Sequence, residues 1–116
     1  MEKIFNVIET DSAKYQGSGD NIVLSTPRLV AYMENVAKSM IDGASVGFIM
    51  EIKHLAPTPI NTTIKIICDL VETNNKKFIF NIQAYDNVEK IAEAKHVRVK
   101  INLDEFQSKC DAKINN

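Results

Sequence analysis

The chain has 116 residues, which suits one domain with a modest core, so we expect a single domain over residues 1–116. Apolar residues make up 45% of the chain, and a formal net charge of -1 gives no overall field to attract nucleic acid or an anionic membrane. The chain contains neither the apolar core of a signal peptide nor the roughly 18 apolar residues that span a bilayer. We therefore expect a cytoplasmic protein without membrane or nucleic-acid partners.

The first part of the chain predicts a strand, a loop and one amphipathic helix. Residues 3–13 are rich in β-branched side chains and favour a strand, and the composition of residues 16–21 favours a loop. Thr26 followed by a proline is typical of a helix start, because the hydroxyl can cap free N–H groups and proline fits the first turn. Apolar residues then recur at helical spacing, which predicts a helix over residues 26–41 that Gly43 would stop.

Four strands are predicted after this helix. Apolar and polar side chains alternate over residues 45–55, 62–73, 77–85 and 91–103, and the segments between them carry proline or paired Asn and Asp residues. In the first of these strands the alternation puts Phe48 and His54 on one face and Gly47 on the other. Short connections make the last strands antiparallel neighbours. The predicted class is α+β, with one helix on a face of an antiparallel sheet of about five strands.

Several short motifs follow one another in an order that resembles a known family. They are STPRLVAYME at residues 25–34, SVG at 45–47, HLAPTP at 54–59, LVE at 70–72, FIF at 78–80, AYD at 84–86 and HVR at 96–98. They are similar to those of fluoroacetyl-CoA thioesterase-like proteins of the hotdog fold, in which a sheet wraps a single central helix. The resemblance extends over residues 20–106, and HLAPTP is its most specific motif.

The resemblance implies a function and a set of site residues. The expected activity is hydrolysis of an acyl-CoA thioester, with Thr26, Glu34 and His54 as the catalytic residues. Gly47 would lie near the thioester carbonyl and Arg98 near the acyl or CoA end. Coenzyme A would belong to the substrate, with no separate cofactor. A homodimer or homotetramer is also expected, because hotdog domains commonly join their sheets edge to edge, which protects exposed edge strands.

The same residues also have purely structural interpretations. A threonine at a helix start is usually a cap worth about 1 kcal/mol, although the positive helix end would also stabilise an oxyanion. Glu34 borders the apolar stripe and fits either a solvent-facing carboxylate or a general base. His54 fits either a packed core histidine or a group that activates water. His96 and Arg98 share a strand face that is either solvated or, through the arginine, an anion contact.

A metal site has little support in this sequence. The chain has two histidines, and neither forms a close-spaced ligand cluster with Cys68 or Cys110. No Gly-rich phosphate loop is present either. One disulfide between the two cysteines stays an open alternative.

The spacing of the helix residues predicts a site shared between subunits. Glu34 follows Thr26 by eight positions, about 12 Å along a helix, so their side chains should not touch within one chain. In the expected reaction Thr26 and helix N–H groups hold the carbonyl while Glu34 and His54 activate water, or Glu34 itself attacks. The alternatives are a non-catalytic hotdog protein that binds acyl-CoA or another small ligand and, ranked last, a hotdog dehydratase.

Overall fold

The computed structural model describes residues 1–114. Within them the elements are β1 Glu2–Val7, α1 Ala13–Gln16, α2 Thr26–Ser39, β2 Ser45–His54, β3 Thr62–Asn74, β4 Lys77–Tyr85, β5 Lys90–Lys100 and α3 Leu103–Asp111, with a 3-10 turn at Glu9–Asp11. The predicted succession of a strand, one long helix and four strands is confirmed. The two short helices, α1 and α3, were not predicted.

The five strands form one antiparallel sheet in the order β1-β3-β4-β5-β2. A tight turn joins β3 to β4, and Asn75 adopts a left-handed conformation there, which an asparagine tolerates better than most residues. The last strand, β5, lies between β4 and β2, so β2 forms one edge of the sheet and β1 the other. The predicted α+β class is confirmed by this layout.

Helix α2 packs its apolar stripe on one face of the sheet. Four of its side chains are buried, and they share one core cluster with the inward-facing apolar residues of β3, β4 and β5. Burial of each large apolar side chain contributes about 1.5–3 kcal/mol, so this contact fixes the helix on the sheet. The helix ends at Ser39, slightly before the predicted residue 41, and Gly43 adopts its positive φ of 88° beyond that end.

The predicted strand over residues 3–13 is wrong in its second half. The strand ends at Val7, and the chain then turns into α1. Ser12 caps α1, because its hydroxyl accepts a hydrogen bond from the N–H of Tyr15 at 3.1 Å. Gly17 ends α1 in the left-handed conformation. Capping by a serine therefore overrides the β-branched composition of this segment.

The predicted last strand also runs too far, because residues 103–111 form helix α3. Asn102 caps this helix by accepting a hydrogen bond from the N–H of Glu105 at 3.0 Å. An asparagine followed by two acidic residues in the next turn is a start signal that the sequence did contain. Cys110 on α3 is exposed and Cys68 on β3 is buried, and both are free, so the alternative disulfide is not formed. No helix within residues 1–114 is long and apolar enough to cross a membrane.

A buried carboxylate ties the segment before α1 to helix α2. Asp11 is fully buried and accepts hydrogen bonds from the Tyr32 hydroxyl at 2.6 Å, from Arg28 Nε at 2.8 Å and from the Ile8 backbone N–H at 3.0 Å. Its backbone carbonyl accepts from the N–H of Ser25 at 2.9 Å. Burial alone would raise the pKa of Asp11, but these hydrogen bonds together hold it below the ordinary 3.8.

We expect Asp11→Asn to lower the free energy of unfolding by about 2 kcal/mol, because a hydrogen-bonded charge would be lost at a buried position. Urea denaturation at pH 7 measures the loss, and Glu9→Gln, on an exposed neighbour in the same turn, is the matched control. The stabilisation depends on an aspartate whose folded-state pKa is lowered, so it should disappear as the pH falls below about 4. Equal stability of the two variants at pH 7 would contradict the role of Asp11.

Candidate active site

Ser25, not Thr26, caps helix α2. The Ser25 hydroxyl accepts a hydrogen bond from the N–H of Arg28 at 3.3 Å, and Thr26 is the first residue of the helix. Ser25 is buried, whereas Thr26 is exposed. The interpretation of Thr26 as the helix cap is therefore wrong. Because the neighbouring serine takes that role, the threonine hydroxyl is available for another contact.

That contact is with the first histidine. Thr26 Oγ1 lies 2.8 Å from Nδ1 of His54, the last residue of β2. The other ring nitrogen of His54, Nε2, is buried and has no hydrogen-bond partner among residues 1–114. Burial lowers the pKa of His54 below the ordinary 6.5, and a backbone contact with Ala56 opposes this only in part. A neutral imidazole with one free nitrogen is suited to proton transfer at neutral pH.

A pocket of about 390 Å³ opens beside this pair. Its walls come from the α1 region, from the residues just before α2 and from the start of the HLAPTP motif. Thr58 of that motif is fully buried, and its backbone carbonyl accepts from the N–H of Leu24 at 2.8 Å. Its hydroxyl donates to the Asp86 carboxylate at 3.1 Å. Two motifs of the family resemblance therefore meet here and hold the pocket wall, a role that the sequence analysis did not assign.

Glu34 belongs to a second cluster, farther along α2. Its side chain is 39% exposed, as its position beside the apolar stripe predicts, and Oε2 lies 3.7 Å from Nη1 of Arg98. Gly47 faces the same carboxylate. A Cβ atom at Gly47 would lie 2.8 Å from Glu34 Oε2, so any larger residue would push the carboxylate aside. Gly47, Glu34 and Arg98 thus share one small polar site.

A β-bulge turns Gly47 toward the helix. Gly47 pairs with Arg98 and Ile49 pairs with Val97, which leaves Phe48 as the extra residue of β2. The alternation therefore slips by one position, and Gly47 takes the face that the sequence assigned to Phe48. Phe48 is 61% exposed instead. The predicted faces of these two residues are wrong for this reason, and bulges commonly re-aim residues at functional sites.

The strand face that carries His96 and Arg98 is not solvated. The two residues are only 1% and 6% exposed, and they lie on the side of β5 that faces α2. Arg98 Nε donates to the Ser45 hydroxyl at 2.9 Å, and Nη2 donates to the Ser45 carbonyl at 3.1 Å. Burial lowers the pKa of Arg98, and the nearby Glu34 charge opposes the shift, so the guanidinium stays charged.

The five predicted site residues thus fall into two clusters. Thr26 and His54 meet at the start of α2, and Glu34, Gly47 and Arg98 meet near its middle. No hydrogen bond joins the two clusters among the described residues, and eight helical positions correspond to about 12 Å. A single chain therefore brings together each half of the predicted site but not the whole of it.

Comparison with known proteins shows the family of this chain. A model of the fluoroacetyl-CoA-specific thioesterase family, FlK, matches residues 7–104. The chain belongs to this family. The resemblance that the motifs predicted is confirmed.

A curated member of the family aligns with part of this chain. The fluoroacetyl-CoA thioesterase of Streptantibioticus cattleyicolor is 28% identical over 65 residues, which are 56% of this chain and 47% of that protein. The aligned region thus spans about half the length of that relative.

Several solved structures share the fold of this chain. The fluoroacetyl-CoA thioesterase FlK superposes with a TM-score of 0.91 at 21% identity, over 97% of this chain and 93% of that one. A phenylalanine-to-alanine variant of FlK, in complex with fluoroacetate and CoA, gives 0.87 at 21% identity, over 97% and 98% of the two chains. A hot-dog-like protein from Thermanaerovibrio acidaminovorans gives 0.86 at 18% identity, over 97% and 88%. The predicted hotdog fold is confirmed.

The two residues at the start of α2 should separate in their effects on stability. We expect Ser25→Ala to lower the free energy of unfolding by about 1 kcal/mol, because the helix loses its cap. Thr26→Ala, at the adjacent exposed position, should change stability by less than about 0.5 kcal/mol. Denaturant unfolding of both variants measures the difference. A larger loss for Thr26→Ala would return the capping role to the threonine.

Proposed function

We propose that this protein is an acyl-CoA thioesterase that hydrolyses a thioester to a carboxylic acid and free CoA. The observation that carries the proposal is the contact between Thr26 and a neutral, half-buried His54 at the start of α2. Membership of the fluoroacetyl-CoA-specific thioesterase family supports the reaction class. The FlK variant in complex with CoA supports a CoA thioester as the substrate class.

The start of α2 supplies the electrostatics that the reaction needs. The first N–H groups of a helix lack partners within the helix and carry partial positive charge. Attack on a thioester converts its carbonyl oxygen into an oxyanion, which such donors stabilise. If His54 Nδ1–H donates to Thr26 Oγ1, the threonine O–H is free to donate to that oxygen. His54 Nε2 is then left as an unprotonated base.

The proposed reaction begins with a water molecule held between His54 and a carboxylate. The water oxygen bonds to the thioester carbon while one of its protons passes to His54 Nε2, and Glu34 accepts a hydrogen bond from its other proton. The C–S bond then breaks, and the CoA sulfur leaves with the proton that His54 had accepted. Thioester and water thus give the acid and the free thiol, and the histidine returns to its neutral form.

The complete site is proposed to form between two copies of the chain. Strand β2 is a sheet edge, and it carries His54 at one end and Gly47 near the other. Antiparallel pairing of two β2 strands about an axis between Met50 and Glu51 would set His54 of one copy opposite Gly47 of its partner. The Thr26–His54 cluster of one chain would then face the Glu34 cluster of the other.

Thiol release across a panel of short-chain and aryl acyl-CoA substrates tests the activity. We expect turnover by the wild-type protein and a loss of about a hundredfold in kcat for Glu34→Gln, because the amide would orient the attacking water poorly. Glu72→Gln, at an exposed position on β3, is the matched control and should retain full activity. Absence of thiol release by the wild-type protein, together with saturable binding of the same acyl-CoA, would instead favour the ligand-binding alternative.

Mixed dimers test whether the site is shared. A Thr26→Ala chain paired with a Glu34→Gln chain should recover up to half of the wild-type activity, because one of its two sites is intact. A Thr26→Ala chain paired with a His54→Gln chain is the control. This control pair should recover no activity, because each site takes both Thr26 and His54 from one chain and each chain lacks one of the two. Activity of separately tagged, doubly purified heterodimers is the measurement, and equal activity of the two pairings would contradict the shared site.

A further inference from the structure

His96 borders the cluster of Glu34, Gly47 and Arg98 and is more deeply buried than either of its two charged side chains. It is 1% exposed, and its Nδ1 lies 2.8 Å from the backbone carbonyl oxygen of Ile49. Its Nε2 lies 3.2 Å from Nη1 of Arg98. A carbonyl oxygen can only accept and a guanidinium can only donate, so Nδ1 carries the proton and Nε2 accepts. Both contacts are satisfied only by the neutral ring in this one tautomer.

The contact with Arg98 holds a cation without cancelling its charge. The other acceptors of the guanidinium are the hydroxyl and carbonyl of Ser45, which are also neutral. Oε2 of Glu34 lies 3.7 Å from Arg98 Nη1, which is too far for a hydrogen bond. Neutral acceptors fix the plane of the guanidinium and leave its positive charge directed toward the half-exposed Glu34 carboxylate. An arginine held in this way can act on a charge that develops beside it.

The contact with Ile49 holds the backbone on the other side of the site. Ile49 directly follows the bulged residue Phe48, where the regular ladder between β2 and β5 is interrupted. The His96 ring therefore binds the strand at the bulge that turns Gly47 toward Glu34. The ring also lies close to Gly47, where a Cβ atom would be 3.4 Å from His96 Cε1.

We propose that His96 is a positioning residue that fixes the Arg98 guanidinium and the β2 bulge at Phe48, so that Arg98 and Gly47 both stay beside Glu34. The role requires a neutral ring. Burial lowers the pKa of His96 and the charge of Arg98 lowers it further, while the Ile49 contact and the charge of Glu34 oppose the shift without reversing it. The kinetic consequence of this role rests on the thioesterase activity proposed above, but the state of the ring does not.

Two substitutions separate the two contacts of the ring. In His96→Asn the side-chain amide can still donate to Ile49 from near the Nδ1 position, but the acceptor for Arg98 is lost. In His96→Gln an amide oxygen can reach the Nε2 position and accept from Arg98, while the donor to Ile49 is lost. We expect His96→Asn to lower kcat/KM about tenfold, because a hydrogen bond to a charged group is lost. His96→Gln keeps an acceptor for Arg98, so its kcat/KM should fall less than that of His96→Asn.

The decisive kinetic comparison uses an Arg98→Met background, which keeps the side-chain volume and removes the charge. If the asparagine variant acts through Arg98, adding His96→Asn to Arg98→Met should lower kcat/KM by less than about twofold further. An equal loss from His96→Asn in both backgrounds would overturn the positioning role, because a general loss of folding or packing is independent of Arg98.

Nitrogen-15 NMR of the histidine rings in the wild-type protein tests the same proposal without any activity. We expect His96 to show a neutral ring protonated at Nδ1 at pH 7, and its Nε2 signal to shift in Arg98→Met. A ring that is protonated at both nitrogens, or only at Nε2, would overturn the proposal whatever the kinetics show. A correct ring state in a protein that releases no thiol would instead refute the thioesterase activity and leave the positioning role standing.

Discussion

The contact of α2 with one face of the sheet is the constraint on which the rest of the structure depends. Its four buried side chains fix both the position and the rotation of the helix over β3, β4 and β5. The first turn then lies beside the end of β2, where Thr26 meets His54. The flank of the apolar stripe brings Glu34 to Gly47 and Arg98. An apolar contact therefore sets the geometry of two polar clusters.

The two clusters use burial differently. At the helix start, burial keeps His54 neutral while leaving one ring nitrogen without a partner. Beside Glu34, both ring nitrogens of His96 have hydrogen-bond partners, and Nε2 is a neutral acceptor for the buried Arg98 guanidinium. A free buried nitrogen suits a group that exchanges protons, whereas a fully bonded ring suits a fixed support. The same residue type thus fits two different tasks because its surroundings differ.

Much of the fold could be predicted from residues that act locally. Helical spacing after Thr26 and period-two alternation in the later strands report which faces are apolar, and those faces must be buried. The missed helices depend on single capping residues, Ser12 and Asn102, whose signals are short and compete with a β-branched composition or a continuing strand. The cap of α2 was assigned one residue too late because adjacent serine and threonine hydroxyls offer the same chemistry.

Periodicity and short motifs lie along the chain, so they suffice to predict the α+β class, the order of the main elements and the identity of the candidate residues. The grouping of these residues into two clusters depends on how the strands pair in the folded chain. The bulge at Phe48 reverses the predicted face of Gly47, and His96 and Arg98 lie on the buried side of β5. Both outcomes depend on pairing between strands about 50 residues apart in the chain, and no local pattern encodes that register.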